Sequence, residues 1–231
     1  MNDDTTRAVL VTGAAGALGT ALVRRLIAAG TDCIALDKNR RKLEKLHDEL
    51  AADGRAPLCV PLDLAGAGPD HYAELADSLT GEFGRLDGMI HAAAEFKGLR
   101  PVEHLPPDEW MQELQAGLTG PMLLTRALLP LLRGTEDSRV LFVVDDPDAR
   151  ACAYWAGYGV VQSGVRALAS TLAAECRKTG PAVDIFDPGA FYSPLRSRVW
   201  PAEDPSSLPT ADAAAEAVLE AFAKVERPGA D

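Results

Sequence analysis

The feature that most constrains this chain is a glycine-rich turn between an apolar run and an amphipathic segment. Residues 8–11 are all apolar, as in a buried parallel strand. Gly13, Gly16 and Gly19 follow, and apolar residues then recur at helical spacing. The order strand, turn, helix lets backbone N–H groups approach a phosphate, and the helix N-terminus offsets the phosphate charge. The alternative is a tight strand-to-helix turn that holds no ligand.

Composition argues against several classes of protein. The 231 residues carry a formal net charge of −11, whereas nucleic-acid and membrane surfaces need basic patches. The longest apolar stretch, 121–132, is interrupted by Arg126 and is too short to span a bilayer. The histidines show no ligand spacing with the cysteines, so no metal site is expected. The scattered cysteines predict reduced thiols in a cytoplasmic protein; they are Cys33, Cys59, Cys152 and Cys176.

Strands and helices alternate along the whole chain. The strands are predicted at 8–11, 32–37, 56–62, 87–94, 138–144 and 182–186, and the later helices at 39–52, 69–83, 108–132, 155–178 and 211–225. Pro121 is expected to bend the long helix. This alternation predicts an α/β fold: a Rossmann-like, doubly wound parallel sheet of about six strands in three α/β/α layers. We expect a single domain over 1–231, with 191–210 as a substrate-side loop or lid.

Asp37 ends the second predicted strand, at the sheet edge where ligands of such folds bind. A carboxylate there can accept hydrogen bonds from an adenosine ribose diol and would repel a 2′-phosphate, which favours NAD(H) over NADP(H). Lys38, Arg40 and Arg41 follow directly and would act in the opposite sense. The alternative interpretation of Asp37 is a cap for the following helix.

Together these motifs resemble the short-chain dehydrogenase/reductase family over nearly the whole chain. Residues 12–19 match the family's nucleotide loop, and Tyr158 lies where the family has its catalytic tyrosine. The pair Asp63-Leu64 matches the segment that contacts adenine, and Pro188-Gly189 with Ser193 resembles the segment that holds the nicotinamide amide. The resemblance implies a dinucleotide site formed by Gly13, Ala15, Gly16, Leu18, Gly19, Asp37, Lys38, Asp63, Leu64, Ala92, Ala93, Pro188, Gly189 and Ser193.

The catalytic positions depart from the family pattern. The family's lysine, four residues after the tyrosine, is Gln162 here, and its serine position is Asp145. The asparagine of the long helix falls near Gly117, and the segment after the fourth strand reads His-Ala-Ala-Ala over 91–94. An amide lacks the charge with which lysine lowers the tyrosine pKa. An ionised Asp145 would repel negative charge that develops on a carbonyl oxygen and would raise the phenol pKa further.

Three functions remain open at this point. The first is an oxidoreductase of a small carbonyl or alcohol substrate, with Tyr158 as the retained catalytic group and altered residues at 145 and 162. The second is a catalytically inactive dinucleotide-binding protein or partner subunit. The third is a non-redox enzyme on the same scaffold, with the acidic group Asp145, Asp146 and Asp148 as its centre, although Asp and Pro there also favour a solvated turn. If the site is vestigial, no cofactor binds.

Assembly is expected to follow the family. The resemblance implies a homodimer through the long helix and the Tyr158 helix, with a heteromer with an active relative as the alternative. We expect the family's seventh strand to be missing after the final helix, which would make a tetramer of the family kind less favoured. Leucines of the long helix either form this dimer surface or cover the sheet; they are Leu123, Leu124, Leu128, Leu131 and Leu132.

Overall fold

The structure, a computed structural model, describes residues 6–227. Its centre is a parallel six-stranded sheet with the strand order β3-β2-β1-β4-β5-β6. The strands are β1 (Ala8–Thr12), β2 (Asp32–Asp37), β3 (Leu58–Pro61), β4 (Gly88–His91), β5 (Arg139–Val143) and β6 (Ala182–Phe186). The order reverses beside β1, so the carboxyl ends of β1 and β4 form the crevice at which ligands of such sheets bind.

Helices cover both faces of the sheet. They are α1 (Ala17–Ala28), α2 (Arg40–Ala51), α3 (Pro69–Phe83), α4 (Pro107–Leu114), α5 (Gly120–Arg133), α6 (Pro147–Arg150), α7 (Ala156–Cys176), α8 (Pro194–Val199) and α9 (Ala211–Ala223). Apolar residues of α1, α2 and α9 pack on one face, and those of α3, α5 and α7 pack on the other. The predicted three-layer Rossmann-like fold is therefore confirmed. No helix within residues 6–227 is both long enough and apolar enough to cross a membrane.

The two central strands of the sheet, β1 and β4, consist largely of consecutive apolar residues. Every residue of β1 and of β4 is buried, as expected for strands covered by helices on both faces. Side chains alternate along β1, so Val9 and Val11 join one core cluster and Leu10 joins the other. The sheet therefore divides the core into two halves, and the site lies at its edge.

Several elements are shorter than their apolar patterns predict. The strand predicted over 56–62 is limited to β3, which pairs with residues 34–37 of β2. The strand predicted over 87–94 ends at His91, because the N–H groups of residues 92 and 93 turn to the hydroxyl of Thr12. Predicted segments 138–144, 155–178 and 211–225 shorten to β5, α7 and α9. The predictions for β2, α3 and β6 agree with the structure.

The helix predicted over 108–132 is interrupted. α4 ends at Leu114, the π-helical turn Gln115–Thr119 follows, and α5 begins at Gly120. The predicted bend at Pro121 is therefore misplaced: the irregular turn comes first, and the proline lies in the first turn of α5, where its missing N–H is tolerated. A Cβ on Gly117 would lie 2.5 Å from Cγ1 of Val161, so this turn packs directly against α7.

The segment 191–210 is not wholly a loop. It contains α8 and the 3₁₀ turn Pro205–Ser207. The Ser193 hydroxyl caps α8 by accepting a hydrogen bond from the Arg196 N–H at 3.1 Å. Val199 of α8 packs with Phe96, Trp155 and Tyr158, so this segment covers the region around Tyr158.

The leucines of α5 mostly cover the sheet. Leu124, Leu128 and Leu132 are buried within the chain itself, and Leu123 and Leu131 pack against the same cluster. The three buried leucines are therefore not available as a dimer surface. The homodimer, and the heteromer as its alternative, stay predictions.

The cysteines are all free thiols. Cys33 and Cys176 are buried, whereas Cys152 is exposed. The prediction of unpaired cysteines is thus confirmed for this structure, and the cytoplasmic location inferred from them stays a prediction.

Candidate active site

A cavity of about 560 Å³ runs along the carboxyl ends of the strands. The glycine-rich turn and Asp37 line one end, and Tyr158, Leu195 and Trp200 line the other. Every residue that the sequence assigns to the cofactor site lines this cavity, and so do Tyr158, Asp145 and Gln162. Gly117, near the asparagine position, instead lines a small pocket beside it. The sequence-predicted residues thus come together in one place.

The glycine-rich turn brings backbone close to the cavity. Gly13 has a positive φ of 70°, and a Cβ there would lie 2.7 Å from Cα of Ala93. A Cβ on Gly19 would collide with the carbonyl oxygen of Gly13. No side chain caps the N-terminus of α1, and the first residues of that helix line the cavity. The N–H groups of this first turn are therefore available to an anion.

Asp37 supports the turn as well as lining the cavity. Its Oδ2 accepts a hydrogen bond from the Ala15 N–H at 3.1 Å, and its Oδ1 accepts one from the Asn39 N–H at 2.8 Å. Asn39, not Asp37, caps α2 by accepting from the Lys42 N–H, so the interpretation of Asp37 as the cap is wrong. Each carboxylate oxygen keeps a further lone pair with which it can accept a ribose hydroxyl.

The Lys38 ammonium group is paired with a carboxylate and is therefore not an unpaired charge at the adenosine end of the cavity. Its Nζ donates to Oε2 of Glu95 at 2.7 Å, and this bond raises the Lys38 pKa. Lys97 binds the other oxygen of Glu95 at 2.9 Å. Lys38 is therefore held by the Glu95 carboxylate, which binds Lys97 as well.

The chain segments after β4 and β6 complete the walls. Ala92 and Ala93 are held to β1 by their hydrogen bonds to Thr12, at 3.2 and 3.3 Å. Asp187 accepts hydrogen bonds from the N–H groups of Asp146 and Gly189 at 3.1 and 2.7 Å. These contacts fix the Pro188-Gly189 turn beside the segment that carries Asp145.

Three side chains meet at the catalytic end of the cavity. The Tyr158 hydroxyl donates to Oδ2 of Asp145 at 3.4 Å, and the Gln162 side-chain oxygen accepts from the Asp145 N–H at 2.9 Å. Tyr158 and Gln162 lie one turn apart on α7 and are both almost fully buried. Gln162, at the lysine position, thus orients the backbone of Asp145, at the serine position.

Arg150 is a functional-site residue that the sequence analysis missed. Its Nη2 lies 2.8 Å from Oδ1 of Asp145, and its guanidinium carbon lies 4.4 Å from the ring centre of Trp155. A Cβ on Gly159 would collide with the Arg150 carbonyl oxygen, so this glycine allows α6 to approach α7. In the sequence, the pair Gly157 and Gly159 around Tyr158 indicates that another element approaches α7 closely. Which element it is, and that it carries Arg150, is known only from the packing.

Aromatic rings surround these charges. Tyr158 contacts Phe96 edge-on at 5.4 Å between ring centres, and Trp155 at 5.8 Å. The Trp200 ring faces the guanidinium carbons of Arg150 at 5.5 Å and of Arg196 at 3.7 Å. Arg196 also forms a bidentate pair with Glu203 at 2.7 Å. The cluster ties α8 to α6 and α7.

Burial and charge act together on Tyr158. Burial raises its pKa well above the ordinary phenol value, the Asp145 carboxylate raises it further, and Arg150 opposes both. The tyrosine alone is therefore a poor source of phenolate at neutral pH. The prediction that position 145 would raise the phenol pKa agrees in direction with this arrangement.

The other two aspartates of the acidic group have structural contacts. Asp146 caps α6 by accepting hydrogen bonds from the N–H groups of Asp148 and Ala149. Asp148 forms a bidentate pair with Arg166 on the exposed side of α7. Among the three, Asp145 is the one whose carboxylate contacts Tyr158. Asp146 and Asp148 are exposed, but their segment forms the short helix α6 and not the predicted turn.

His91 lies behind the catalytic end and is neutral. Its Nε2 lies 2.9 Å from the Thr125 hydroxyl, which donates its own proton to the Pro121 carbonyl oxygen, so Nε2 is the protonated nitrogen. Nδ1 is buried and has no hydrogen-bond partner in the structure. Burial lowers the His91 pKa to about 3.

These features fit a nicotinamide dinucleotide. The uncapped N-terminus of α1 would hold the diphosphate, and Asp37 would hold the adenosine ribose. Asp63 and Leu64 would border the adenine, and Pro188 and Gly189 the nicotinamide. The glycines keep side chains out of the diphosphate position. The fold and the site together define a dinucleotide-binding protein of the Rossmann type.

Comparison with known proteins identifies the family. A profile of the short chain dehydrogenase family matches residues 7–204, so the chain belongs to that family of oxidoreductases. YciK, an uncharacterised oxidoreductase of Escherichia coli K12, is 27% identical over 205 residues, which cover 88% of this chain and 81% of YciK. D-threitol dehydrogenase of Mycolicibacterium smegmatis is 27% identical over 194 residues, covering 84% of this chain and 74% of that enzyme.

Solved structures are similar over almost the whole chain. A short chain dehydrogenase of Pseudomonas syringae is 32% identical with a TM-score of 0.87, covering 96% of this chain and 89% of that chain. One of Escherichia coli CFT073, solved with NADPH, is 25% identical with a TM-score of 0.88, covering 97% and 93%. The predicted family and its NAD(P)-binding fold are thus confirmed.

Proposed function

We propose that this chain is an NAD(P)(H)-dependent oxidoreductase of a small alcohol or carbonyl compound that works with altered catalytic groups. One observation carries the proposal. Tyr158, Asp145 and Gln162 lie together at one end of a cavity whose other end is the uncapped N-terminus of α1. The cofactor supplies the hydride chemistry when bound, so the protein has to supply orientation and a path for one proton.

Each of the three groups has a distinct part in this proposal. Tyr158 exchanges a proton with the substrate oxygen. Asp145 accepts the tyrosine hydrogen bond, and Gln162 holds the Asp145 backbone while its amide nitrogen remains able to bind a ribose hydroxyl. The second candidate is a dinucleotide-binding subunit without catalysis, favoured by the missing charge at 162 and the raised pKa of Tyr158.

We further propose that NAD(H) binds more tightly than NADP(H). Asp37 lines the adenosine end, and Lys38 is held by Glu95 rather than aimed at a 2′-phosphate. Lys42 also lines the cavity and acts in the opposite sense. Solved relatives contain NADP or NADPH, so both dinucleotides have to be tested.

Calorimetric titration with NADH and with NADPH tests the binding half of the proposal. We expect micromolar affinity for NADH and about tenfold weaker affinity for NADPH, a difference of about 1.4 kcal/mol. Asp37→Asn should narrow this difference, whereas Asp53→Asn, an exposed carboxylate outside the cavity, should leave it unchanged. Failure of both dinucleotides to bind would refute the proposal.

Turnover tests the catalytic half. The wild type is assayed with secondary alcohols and sugar alcohols in one direction and with aldehydes and ketones in the other. Sugar alcohols are included because one relative is a D-threitol dehydrogenase. Tyr158→Phe should abolish turnover without changing dinucleotide affinity, and Tyr154→Phe, an exposed neighbour, should change neither. Binding without any turnover would favour the non-catalytic subunit.

A further inference from the structure

The hydroxyl of Tyr158 already has an acceptor. Within residues 6–227, the hydrogen bond recorded for this hydroxyl goes to Oδ2 of Asp145, at 3.4 Å. Both groups line the cavity in which the substrate would lie. An ionised carboxylate is purely an acceptor, so the geometry directs a proton from the tyrosine towards Asp145 and not towards position 162.

The carboxylate is held in this orientation from its other oxygen. Nη2 of Arg150 lies 2.8 Å from Oδ1 of Asp145. The guanidinium lies over the adjoining rings of Trp155 and Trp200, at 4.4 and 5.5 Å from their centres, and its side chain is 16% exposed. Because Oδ1 is occupied by the cation, Oδ2 remains for Tyr158.

We propose that Tyr158 and Asp145 form a two-group proton relay in which Asp145 is the terminal acceptor and Arg150 is its positioning residue. The proposal rests on the oxidoreductase function proposed above. An alcohol bound beside Tyr158 gives its hydroxyl proton to Oη of Tyr158, while Tyr158 gives its own proton to Oδ2 of Asp145.

The step balances as follows in the oxidative direction. The alcohol O–H bond breaks and a new O–H bond forms on Tyr158; the old Tyr158 O–H bond breaks and one forms on Asp145. The alcohol carbon loses a hydride, with its electron pair, to an oxidised nicotinamide dinucleotide, the oxidant that the proposal requires. The substrate becomes a carbonyl compound, and protonated Asp145 later releases its proton to water in the cavity. Carbonyl reduction runs through the same groups in reverse.

The relay explains how the site can work without a lysine at position 162. The family's lysine lowers the pKa of a tyrosine that must carry the negative charge itself. In the relay Tyr158 exchanges one proton for another and never persists as a phenolate. The raised pKa of Tyr158 is then compatible with catalysis at neutral pH, since the charge resides on Asp145.

Several charged groups face this pair from the surrounding elements. Arg150 of α6 contacts Asp145, and Asp146 adjoins it in the chain. Asp187, after β6, acts on Tyr158, and Arg196 of α8 interacts with both Asp145 and Arg150. The two arginines offset the extra carboxylates, so the pair is not isolated in an acidic pocket.

The test is the pH dependence of kcat/KM for alcohol oxidation with saturating NAD⁺ or NADP⁺. The probe is the best substrate from the panel of secondary alcohols and sugar alcohols. We expect the wild-type rate to be constant from neutral to alkaline pH, because the proton passes to a carboxylate and no phenolate has to form first. In Asp145→Ala the tyrosine has to act alone, so the rate at pH 7 should fall about 100-fold and then rise about tenfold per pH unit.

Matched variants separate the relay from a structural role. Asp148→Ala removes an exposed carboxylate from the adjacent helix and should leave both rate and profile unchanged. Asp145→Glu should restore the flat profile with part of the rate. Arg150→Met should lower kcat with little change in KM, and Arg150→Lys should recover part of the loss. Circular dichroism and dinucleotide affinity confirm that each variant is folded.

Each outcome has one meaning. A wild-type rate that climbs tenfold per pH unit through the alkaline range, or an Asp145→Ala variant with unchanged rate and profile, overturns the relay and leaves the oxidoreductase function intact. Dinucleotide binding without wild-type turnover of any alcohol or carbonyl overturns the catalytic function and the relay together. A flat profile that Asp145→Ala abolishes and Asp145→Glu restores supports the relay.

Discussion

Gly13→Ala offers a quantitative test of how tightly the turn after β1 is packed. Gly13 has a φ of 70°, and an alanine there incurs the left-handed backbone cost of about 1–2 kcal/mol. Its Cβ would also lie 2.7 Å from Cα of Ala93 and 2.9 Å from the Ala92 carbonyl oxygen. Favourable contact needs ~3.5 Å, so the backbone of residues 92–93 has to move, which adds about 1–3 kcal/mol.

Gly84→Ala is the matched control. Gly84 has a similar φ of 64°, and an added Cβ there meets no atom within 4 Å. The midpoint temperature of thermal unfolding should fall by about 4 °C for Gly84→Ala and by about 10 °C for Gly13→Ala, because each kcal/mol of lost stability lowers it by about 2–4 °C in a chain of this size. Gly13→Ala should also weaken NADH binding at least tenfold in calorimetric titration, while Gly84→Ala should not. Equal losses of stability with unchanged NADH affinity would refute the packing argument.

Three further predictions concern the groups around this turn and behind the catalytic end. Thr12→Val should lower stability by about 1–3 kcal/mol in urea denaturation, because two partly buried N–H groups lose their hydrogen bonds to the hydroxyl. Thr12→Ser, which keeps the hydroxyl, should lose much less. His91→Phe should reduce the loss of stability between pH 7 and pH 5. In the folded wild type the pKa of His91 is lowered to about 3, so the imidazole takes up its proton only on unfolding, and the wild type loses about 2 kcal/mol of stability by pH 5. The same pH dependence in both proteins would contradict this. Gly117→Asn, which restores the family's residue type, should destabilise the chain because its Cβ meets Val161 at 2.5 Å. Val161→Ala in the same chain should recover part of the lost stability. Unchanged stability in Gly117→Asn would show that the π-helical turn can shift.

The sequence predicts well those elements whose ends are determined by residues next to them in the chain. β2 and β6 are apolar runs between polar residues, and α3 begins at Pro69 and ends before Gly84, which has the left-handed conformation of a helix C-cap. β3 and β4 are shorter than their apolar runs because their lengths depend on the partner strand and on Thr12. The π-helical turn depends on contact between Gly117 and Val161, which a local pattern does not contain.

The same distinction applies to the site. Counting back from Tyr158 places Asp145 correctly beside it, because the family resemblance fixes that spacing. Arg150 could not be found in this way, since its contact with Asp145 depends on the close approach of α6 and α7 at Gly159. Trp200, directly after α8, likewise joins the site from a segment whose prolines predict a loop.

The stacking of arginines on Trp200 has an optical consequence. Trp200 lines the cavity and Trp155 packs behind Arg150, so two of the chain's three tryptophans surround the catalytic end. Indole fluorescence responds to nearby charge, and its emission overlaps the absorption of reduced nicotinamide. The protein therefore contains its own reporter: cofactor binding should quench these indoles by energy transfer, and a substrate that separates Trp200 from Arg150 should change their emission without any added dye.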